Sequence, residues 1–592
     1  MINQKTDIGS PETKGSHLNK TLAPATQEMA LEPKLGNNCP AQDIEGIDPQ
    51  KTGDEKETPG ALQQVMTRNE QILTHVLIWL LVFALGFSNS IFRVLTPYVV
   101  SDYKRHALTA TTDVVANIAS GIFRLPYAKL LDVWGRPQSL TLMVIFTLLG
   151  AVMKAGCNSV ETYCAAQVFY YVGYYGIQFS LVIFISDSAP IRNRGLLFGI
   201  VWSPSLISTW AYGPTADRIL TNLGYRWGFG VWCIIIPVVS APVIALMFRF
   251  DTRARQAGLI ERPEHGNTVS QRILFYLKEF DIVGLLILAT GLSLLLLSLS
   301  IYSYQDKGWG SPLIICFLVF GPVLIICFIL YEIYLAPVTF LSSHLLKDRT
   351  VVWTNIMAAT LYTSEFICSA YIYSMLIVVF NQSITAATYI NSIYYIGSSF
   401  WTIVLGFAMR YYGRMKVYTI VLGIPFFILG QGMMIAFKPG FTPIGLMVVC
   451  KILIAFGGGT MYPIEQMTLM AVSQEHTPAL LALESIIIDV GKGAGSAIAT
   501  AIWTGMFKNK LAEYLPDSEL VNLDDIYGSL DAQSSYPVGS AGRDAINHAY
   551  LDTQRIIFIS STSLLALTWA SVLFWKDYDV KKMSNLRKGM PV

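Results

Sequence analysis

Charged residues are scarce in this chain of 592 residues: only 14% are Asp, Glu, Lys or Arg, whereas 53% are hydrophobic. A soluble chain is about one quarter charged. The charge present here is too little to solvate the three or four domains that a soluble chain of this length would form. The net charge of +2 is too small to indicate a nucleic-acid partner. The composition therefore disfavours a soluble enzyme, a nucleic-acid-binding protein and a disordered scaffold.

Patterns typical of metal and redox sites are also missing from the sequence. The seven histidines are dispersed, and the eight cysteines include no CxxC pair, so we predict no metal site and no cofactor. Most of the cysteines lie in apolar stretches, where cysteine packs as a small hydrophobic residue. Cys157 and Cys164 flank one short loop. They would form a disulfide only if that loop faced an oxidising compartment and their Cβ atoms lay close enough.

Long apolar runs dominate the rest of the sequence. A membrane helix needs about 20 apolar residues, and fourteen segments of that length follow residue 75. We therefore predict an all-α, polytopic membrane protein with 14 transmembrane helices. The predicted regions are a disordered cytoplasmic tail at 1–70, a first six-helix half at 75–248, a cytoplasmic linker at 249–280, helices 7 to 13 at 281–505, a long extracellular loop at 506–553, helix 14 at 554–576 and a cytoplasmic tail at 577–592.

The distribution of Lys and Arg predicts the orientation of these helices. If the N-terminal tail is cytoplasmic, the cytoplasmic loops and tails carry more than twice as many Lys and Arg residues as the outer loops. Such an excess is typical of cytoplasmic segments. Both termini are therefore predicted to be cytoplasmic, which requires an even number of spans.

Two turns of similar sequence close predicted helices at corresponding places in the two halves. The first contains Asp132, Gly135 and Arg136, and the second contains Gly413 and Arg414. A glycine permits a tight turn between antiparallel spans, and the charges lie where helix ends stabilise them. The first turn resembles the D-x-x-G-R motif of the major facilitator superfamily. That resemblance implies an inner latch that breaks and reforms during transport; the alternative is an ordinary basic cytoplasmic turn.

Longer stretches carry a more specific resemblance. They are the tyrosine-rich helix 4 at 166–176, the sequence at 185–195, helix 13 from Leu481, and the Tyr527 and Tyr536 segments of the outer loop with Arg543. Over residues 75–576 the chain resembles the fungal siderophore–iron transporter family, a 14-helix branch of the major facilitator superfamily. The resemblance implies import of ferric siderophores, of hydroxamate type, with protons. Because the siderophore already chelates the iron, the protein needs no iron ligands of its own.

Aromatic residues in or beside the spans are candidates for the substrate pocket, since aromatic rings stack on amphipathic ligands and tyrosine hydroxyls hydrogen-bond to them. The alternative is that each ring contributes only to helix packing or to an interfacial belt. The candidates are Tyr98, Tyr171, Tyr174, Trp202, Trp210, Trp353, Tyr371 and Tyr394.

Charges within spans are costly and therefore mark functional sites. Glu365, Glu465 and Asp489 are the proton-coupling candidates, with Arg93, Arg124, Lys451 and Lys492 as charge partners. Glu365 is preferred because it lies near the middle of its span with no basic neighbour on its own helix. Asp489 and Lys492 are three residues apart and are expected to pair locally. A structural pair of Glu365 with Lys451 or Arg93 remains the alternative.

Two departures from related transporters bear on the direction of transport. Gln167 stands where many superfamily members have an arginine linked to proton coupling, and only Gly213-Pro214 remains of the glycine-rich motif of drug exporters. The reduced motif disfavours a drug–proton or glutathione–proton antiporter of the same fold, which is nevertheless the alternative function. A membrane enzyme would need a convergent catalytic cluster, which the sequence does not show. A receptor would not need the repeated latch.

The remaining predictions concern the protein's surroundings. The lipid bilayer, protons and a ferric siderophore are the expected partners of a monomeric carrier. The plasma membrane is the expected location, with endosomal vesicles as the alternative. Asn381 begins a glycosylation sequon on an outer loop, but its position beside the end of a span argues against modification.

Overall fold

The computed structural model describes residues 61–102, 109–259, 281–302, 305, 307–336, 343–440, 442–473 and 476–581. These ranges are helical and contain no β-strand, apart from a single bridge between Arg414 and Asp579. The predicted all-α class is confirmed. Most of the predicted N-terminal tail, two thirds of the predicted linker and the last part of the C-terminal tail lie outside the described residues.

The described ranges consist of successive helices. In chain order they are α1 Ala61–Val65, α2 Arg68–Asp102, α3 Thr109–Val133, α4 Arg136–Gly156, α5 Val160–Ser188, α6 Ile191–Trp202, α7 Ser205–Asn222, α8 Gly224–Gln256, α9 Ile282–Ile301, α10 Pro312–Tyr334, α11 Ser343–Lys347, α12 Arg349–Ser369, α13 Ile372–Val378, α14 Ile384–Tyr412, α15 Met415–Tyr418, α16 Ile424–Met434, α17 Ile444–Val472, α18 Thr477–Tyr514, α19 Leu523–Gly528, α20 Leu530–Ser535 and α21 Ala541–Phe574.

Within the described ranges, eleven helical stretches are long and apolar enough to cross a membrane. Three further predicted segments are not long or apolar enough to meet the same requirement. Helix α3 carries Arg124 and Lys129, the predicted span at 195–216 is divided between α6 and α7, and the apolar part of α9 is only Val283–Leu299. The protein is a multi-pass membrane protein, while the count of 14 spans and the cytoplasmic termini stay predictions.

Some helices extend further than the sequence predicted. Helix α8 continues to Gln256, so the first eight residues of the predicted linker are helical. Helices α18 and α21 likewise extend into the predicted outer loop, and the connection between them is reduced to 515–540. Polar residues at these helix ends do not stop a helix whose apolar face continues to pack.

Three of the spans are interrupted, two of them beside a proline. Proline lacks a backbone N–H and its ring clashes with the preceding turn, and Pro204 separates α6 from α7. Pro425 follows a widened helical turn at Thr419–Gly423. Between α12 and α13, Tyr371 adopts a left-handed conformation with φ 58°, which costs about 1 kcal/mol for a residue other than glycine.

The two halves of the bundle meet where glycines let helix backbones approach. The first half comprises α2 to α8 and the second α12 to α21. We call the end that holds the turn between α3 and α4 the latch end, and the end that holds residues 515–540 the loop end. A Cβ on Gly199 of α6 would lie 2.8 Å from Ile403 Cα of α14, and one on Gly406 would lie 2.6 Å from Leu196 Cα. The halves are thus in backbone contact toward the latch end.

Replacing Gly199 with alanine is expected to destabilise the protein. The new methyl group would meet the backbone of α14, and overpacking of this kind costs about 1–3 kcal/mol. The matched control is Gly213→Ala in α7, where nothing lies within 4 Å of the added Cβ. Thermal unfolding of the detergent-purified variants measures the effect. Equal melting midpoints for the two variants would contradict this account of the contact between halves.

Candidate functional site

The first predicted latch is an ion-pair network centred on Arg136. Its guanidinium bridges two carboxylates, with Nη1 2.9 Å from Asp132 Oδ1 and Nε 3.2 Å from Asp187 Oδ2. It also donates to the carbonyl of Leu131 at 2.8 Å. Gly135 adopts φ 109°, and a Cβ there would meet Gln138 Oε1 at 2.6 Å. Arg136 therefore ties the turn to the end of α5, a link that the predicted pair of Asp132 and Arg136 did not include.

The second predicted latch is built from backbone contacts. Gly413 ends α14 with φ 89°, and its carbonyl accepts a hydrogen bond from the N–H of Val580 at 2.9 Å. Arg414 forms the isolated bridge with Asp579. The ammonium group of Lys416 donates to the carbonyls of Leu573 and Trp575, each at 2.8 Å. This turn holds the segment after α21 and is not a copy of the first latch.

A cavity of about 500 Å³ lies between the halves and is rich in charge. Arg124 of α3 and Asp489 of α18 form an ion pair with 3.1 Å between Nη1 and Oδ2, and Lys492 lies 3.1 Å from the other carboxylate oxygen. The Arg124–Asp489 pair joins the first half to the second. We call this space the charged cavity. The residues that line the charged cavity are Asn89, Arg93, Asn117, Ser120, Arg124, Tyr171, Tyr175, Leu296, Leu299, Tyr302, Phe366, Tyr395, Asp489, Lys492, Gly493, Ser496 and Thr500.

The direction in which the charged cavity extends follows from the chain directions of α3 and α18. Asn117 and Ser120 precede Arg124 on α3, and Ser496 and Thr500 follow Lys492 on α18. On these antiparallel helices both directions lead toward the loop end. The charged cavity therefore extends from the Arg124–Asp489 pair toward the loop end, on the far side of the pair from the latch end.

A second cavity of about 360 Å³ adjoins the first, and Tyr395 lines both. We call it the tyrosine cavity. Its walls again come from both halves, and four of its side chains are tyrosines. The lining residues are Gln178, Phe198, Gly199, Trp202, Ser205, Tyr362, Tyr394, Tyr395, Ser398, Ser399, Thr402, Gly458, Gly459, Tyr462, Pro463 and Gln466.

Three of the eight predicted pocket residues line these cavities: Tyr171, Trp202 and Tyr394. Others lie in helix packing or on the surface. Tyr174 is buried and stacks on Tyr170, Trp353 stacks on Phe574, Tyr371 stacks on Trp503, and Trp210 is 54% exposed beside Tyr389. The side chain of Tyr98 lies outside the described parts of the structure. A role for any of the eight in substrate binding stays a prediction.

The proton-coupling candidates lie in different surroundings. Asp489 belongs to the ion-pair network described above. Glu365 is half-buried, and its Oε2 lacks a hydrogen-bond partner among the described residues. Lys451 acts electrostatically on Glu365 but donates to Asn391 Oδ1 at 3.4 Å. Glu465 is fully buried. Arg93 lines the charged cavity.

Sequence reasoning missed one intramembrane charge completely. Lys154 of α4 is fully buried, and its ammonium lies 4.3 Å from the ring centroid of Tyr170 and 4.9 Å from that of Phe92. Tyr163, Tyr171 and Phe229 also lie within 6 Å of it. A desolvated cation is stabilised by aromatic faces at such distances. The aromatic density of helix 4 is the signal in the sequence that could have indicated this cation site.

The outer connection is folded and is held by Arg543. This side chain is 1% exposed. Its guanidinium donates to the carbonyls of Gln533, Ser534 and Tyr536 at 2.9–3.0 Å and to that of Val378 at 2.7 Å. Five N–H donors in a planar fork suit such a set of carbonyls. Arg543 thus fastens residues 533–536 to the end of α13.

The two predicted loop tyrosines have different contacts. Tyr527 lies near Phe507, with 6.2 Å between ring centroids, and Lys508 lies 5.9 Å above its ring. The hydroxyl of Tyr536 bonds to the carboxylate of Glu519, and this bond together with burial raises the pKa of Tyr536. The contacts with Phe507, Lys508 and Val378 place the connection at 515–540 against the second half. Its role as a cap over the outer mouth stays a prediction.

Other sequence candidates have local structural settings. Asn381 is exposed with φ 48°, and Ser383 of its sequon caps α14. Glycosylation there stays a prediction. Cys157 and Cys164 are both free thiols, and the Cys157 thiol donates to the carbonyl of Lys154 at 3.1 Å. In the part of the chain that the structure describes, no three His, Cys, Asp or Glu residues are placed to hold a metal ion.

The bond from Arg136 to Asp187 is expected to contribute measurably to stability. Both side chains are about 30% exposed, so we expect a coupling energy of about 0.5–1 kcal/mol. Thermal unfolding of Arg136→Gln, Asp187→Asn and the double variant measures it as a double-mutant cycle. A cycle on the exposed pair Lys510 and Glu513 is the control and should give a smaller value. Additive effects of the Arg136 and Asp187 changes would contradict this role.

Replacing Arg543 with lysine is expected to loosen the outer connection. A lysine ammonium offers three donors at one point and cannot span carbonyls on two separate segments. We expect faster cleavage within 515–540 during limited proteolysis of the purified protein. Arg555→Lys, at an exposed position on the same helix, is the matched control. If both variants are cleaved at the rate of the unmodified protein, Arg543 does not hold this segment.

The family is identified by comparison with known proteins. A model of the Major Facilitator Superfamily matches residues 78–380. MFS siderochrome iron transporter 1 of Ajellomyces capsulatus is 41% identical, over 99% of this chain and 98% of the relative. Siderophore iron transporter mirB of Emericella nidulans is 36% identical, over 90% of this chain and 88% of the relative.

A third relative is also named as a siderochrome iron transporter. MFS siderochrome iron transporter D of Aspergillus fumigatus is 36% identical, over 87% of this chain and 86% of the relative. These alignments extend through both halves of the bundle. The resemblance found from the helix 4, helix 13 and outer-loop sequences is confirmed. The chain therefore belongs to the siderophore–iron transporter family of the Major Facilitator Superfamily, and it is a transporter rather than an enzyme.

Proposed function

We propose that this protein imports ferric siderophores of the hydroxamate type together with protons, by alternating access. The observation that carries the proposal is the pair of adjoining cavities between the halves, joined at Tyr395 and bounded by the Arg124–Asp489 bridge. The names of the relatives support a siderophore-bound iron as cargo. The carrier works as a monomer in the plasma membrane.

The lining of the cavities suits such a cargo. A ferric siderophore is bulky and amphipathic, and each cavity has the volume of a small-molecule site. Tyr362, Tyr394 and Tyr462 offer faces for stacking and hydroxyls for hydrogen bonds. Arg124 and Lys492 face the oxygen-rich part of the ligand. The iron remains chelated throughout, so recognition depends on the ligand's organic surface.

The contacts between the halves support alternating access. The backbone contacts of Gly199 and Gly406 close the latch side, and the charged cavity extends from the Arg124–Asp489 bridge toward the loop end. Opening toward the cytoplasm requires the bridge and these contacts to separate while the halves rock about the cavities. The Arg136 network then acts within the first half, since Asp132 and Asp187 belong to that half.

Uptake of radioactive iron by iron-starved yeast that carries only this transporter tests the proposal. Different ferric siderophores are offered one at a time. We expect saturable uptake of hydroxamate complexes that rises as external pH falls, because inward protons drive it, and that stops with a protonophore. An absence of uptake for all complexes, together with gained resistance to a toxic compound, would indicate the drug–proton or glutathione–proton exporter instead.

Replacing Glu365 with glutamine is expected to abolish proton-driven uptake and to spare ligand binding. Glutamine keeps the size of the side chain but cannot carry a proton. The matched control is Glu332→Gln, which removes another buried carboxylate, on the peripheral helix α10. Uptake and equilibrium binding are measured for both variants. Unchanged uptake by the Glu365 variant would remove this residue from the mechanism.

A further inference from the structure

Positive charge exceeds negative charge on the walls of the charged cavity. Among the described residues that line it, three carry a cationic side chain, namely Arg93, Arg124 and Lys492. In the same described lining, Asp489 is the single carboxylate. Three cations against one carboxylate leave a net charge of +2 on the lining when all four groups are ionised. The cavity is therefore an electropositive space inside the bundle.

Asp489 is engaged by two of these cations at once. Nη1 of Arg124 lies 3.1 Å from one oxygen of its carboxylate, and the ammonium of Lys492 lies 3.1 Å from the other. Both oxygens are thus bound, but the carboxylate supplies only one negative charge for the two cations. The three side chains together keep a positive charge, and Arg93 adds a second one to the same cavity.

Arg93 reaches the cavity from a third helix, α2. Its neighbours Ile91, Phe92 and Leu95 are 0–1% exposed, so this part of α2 is packed tightly into the bundle. The side chain of Arg93 is exposed by contrast, and it lines the cavity. A charged side chain within a span faces a bundle interior or a water-filled cavity. The exposure of Arg93 is therefore exposure to the space where a ligand would bind.

Two tyrosines hold the other cations at the wall without neutralising them. The guanidinium of Arg124 lies 5.2 Å from the ring centroid of Tyr175, and the ammonium of Lys492 lies 5.5 Å from that of Tyr362. An aromatic face stabilises a cation at such distances, but it carries no net charge. These contacts therefore fix the positions of Arg124 and Lys492 and leave the cavity electropositive.

A space of this kind is suited to an anionic group of the ligand. Apolar walls confine the field of the cations to the cavity, which strengthens the attraction for an anion. A guanidinium presents parallel N–H donors that match the two oxygens of a carboxylate. The volume of about 500 Å³ leaves room for such a group. Amide and hydroxyl groups for its remaining polar atoms come from Asn89, Asn117, Ser120, Ser496 and Thr500.

We propose that the charged cavity binds carboxylate groups at the periphery of the ferric siderophore and that Arg93 determines the preference for such anionic complexes. In a ferric trihydroxamate the hydroxamate anions balance the charge of the ferric ion, so the outer groups set the net charge of the complex. Arms that end in carboxylates neutralise the cavity, whereas the corresponding esters do not. Because the proposal names the charge class of the cargo, it rests on the proposed function.

Equilibrium binding of a matched pair of complexes to the purified full-length protein tests the preference. One complex is a ferric trihydroxamate whose arms end in carboxylates, and the other is the methyl ester of the same complex. Radioactive iron in both allows their binding to be measured in the same way. We expect the carboxylate complex to bind about tenfold more tightly or better, because the ester cannot form the charge-assisted hydrogen bonds to the guanidinium.

Replacing Arg93 with glutamine is expected to remove this preference. The affinity for the carboxylate complex should fall about tenfold, while the affinity for the ester stays within about twofold. Arg93→Lys retains the charge and should keep part of the preference, which separates loss of charge from loss of the fold. The matched control is Arg218→Gln, at an exposed position of α7 outside both cavity linings, and it should keep the full preference.

The other outcomes distinguish this proposal from the proposed function. Equal affinity for the carboxylate complex and the ester would overturn the carboxylate site, although uptake of either complex by iron-starved yeast would leave siderophore import intact. A preference that survives in Arg93→Gln, or an equal loss of both complexes, would overturn the role of Arg93. If yeast with this transporter takes up no ferric siderophore of any charge, the proposed function fails, and the cargo preference fails with it.

Discussion

A charge within the membrane must be neutralised locally, and this constraint determines where the two halves of the transporter touch. Arg124 and Asp489 come from different halves, and each would be costly to bury alone. Their ion pair holds α3 against α18, with Lys492 as a third member. A bond of this kind is strong in apolar surroundings yet reversible, since water or another charge can replace either partner. It therefore suits a contact that, in the proposed mechanism, opens during transport.

The interface between the halves has one region of close contact at glycines and another region lined by tyrosines. Gly199 and Gly406 bring the backbones of α6 and α14 into contact. Where tyrosines take their place, as at Tyr362 and Tyr394, the helices stand apart and leave space lined by hydroxyls and ring faces. The same chain thus combines a closed region with an adjoining ligand-sized one, because side-chain volume sets the distance between helix axes.

Much of the fold was predictable because it depends on local patterns. Long apolar runs predict helices in any membrane protein, and the turn at Gly135 requires a residue that tolerates positive φ. Partners distant in sequence were not predictable in this way. Asp187 and Lys154 both contribute to charged sites, yet nothing near them in the sequence indicates which residue each one faces. Of the seven aromatic candidates whose side chains the structure describes, three line the charged or the tyrosine cavity. A tyrosine in a helix has the same local sequence whether it faces ligand, lipid or a neighbouring helix.

The sequence by itself determined the class of this protein, its family and the scarcity of charge within its spans, because composition and motifs are properties of the chain alone. Tertiary structure decided which of those charges meet. Asp489 appeared in sequence to pair only with Lys492 on its own helix, but packing brings Arg124 of the other half to its second oxygen. Asp489 therefore belongs to a bridge between the halves and not only to a contact within its own helix. The physical reason is that helix packing, and not sequence spacing, fixes the distances between charges on different helices.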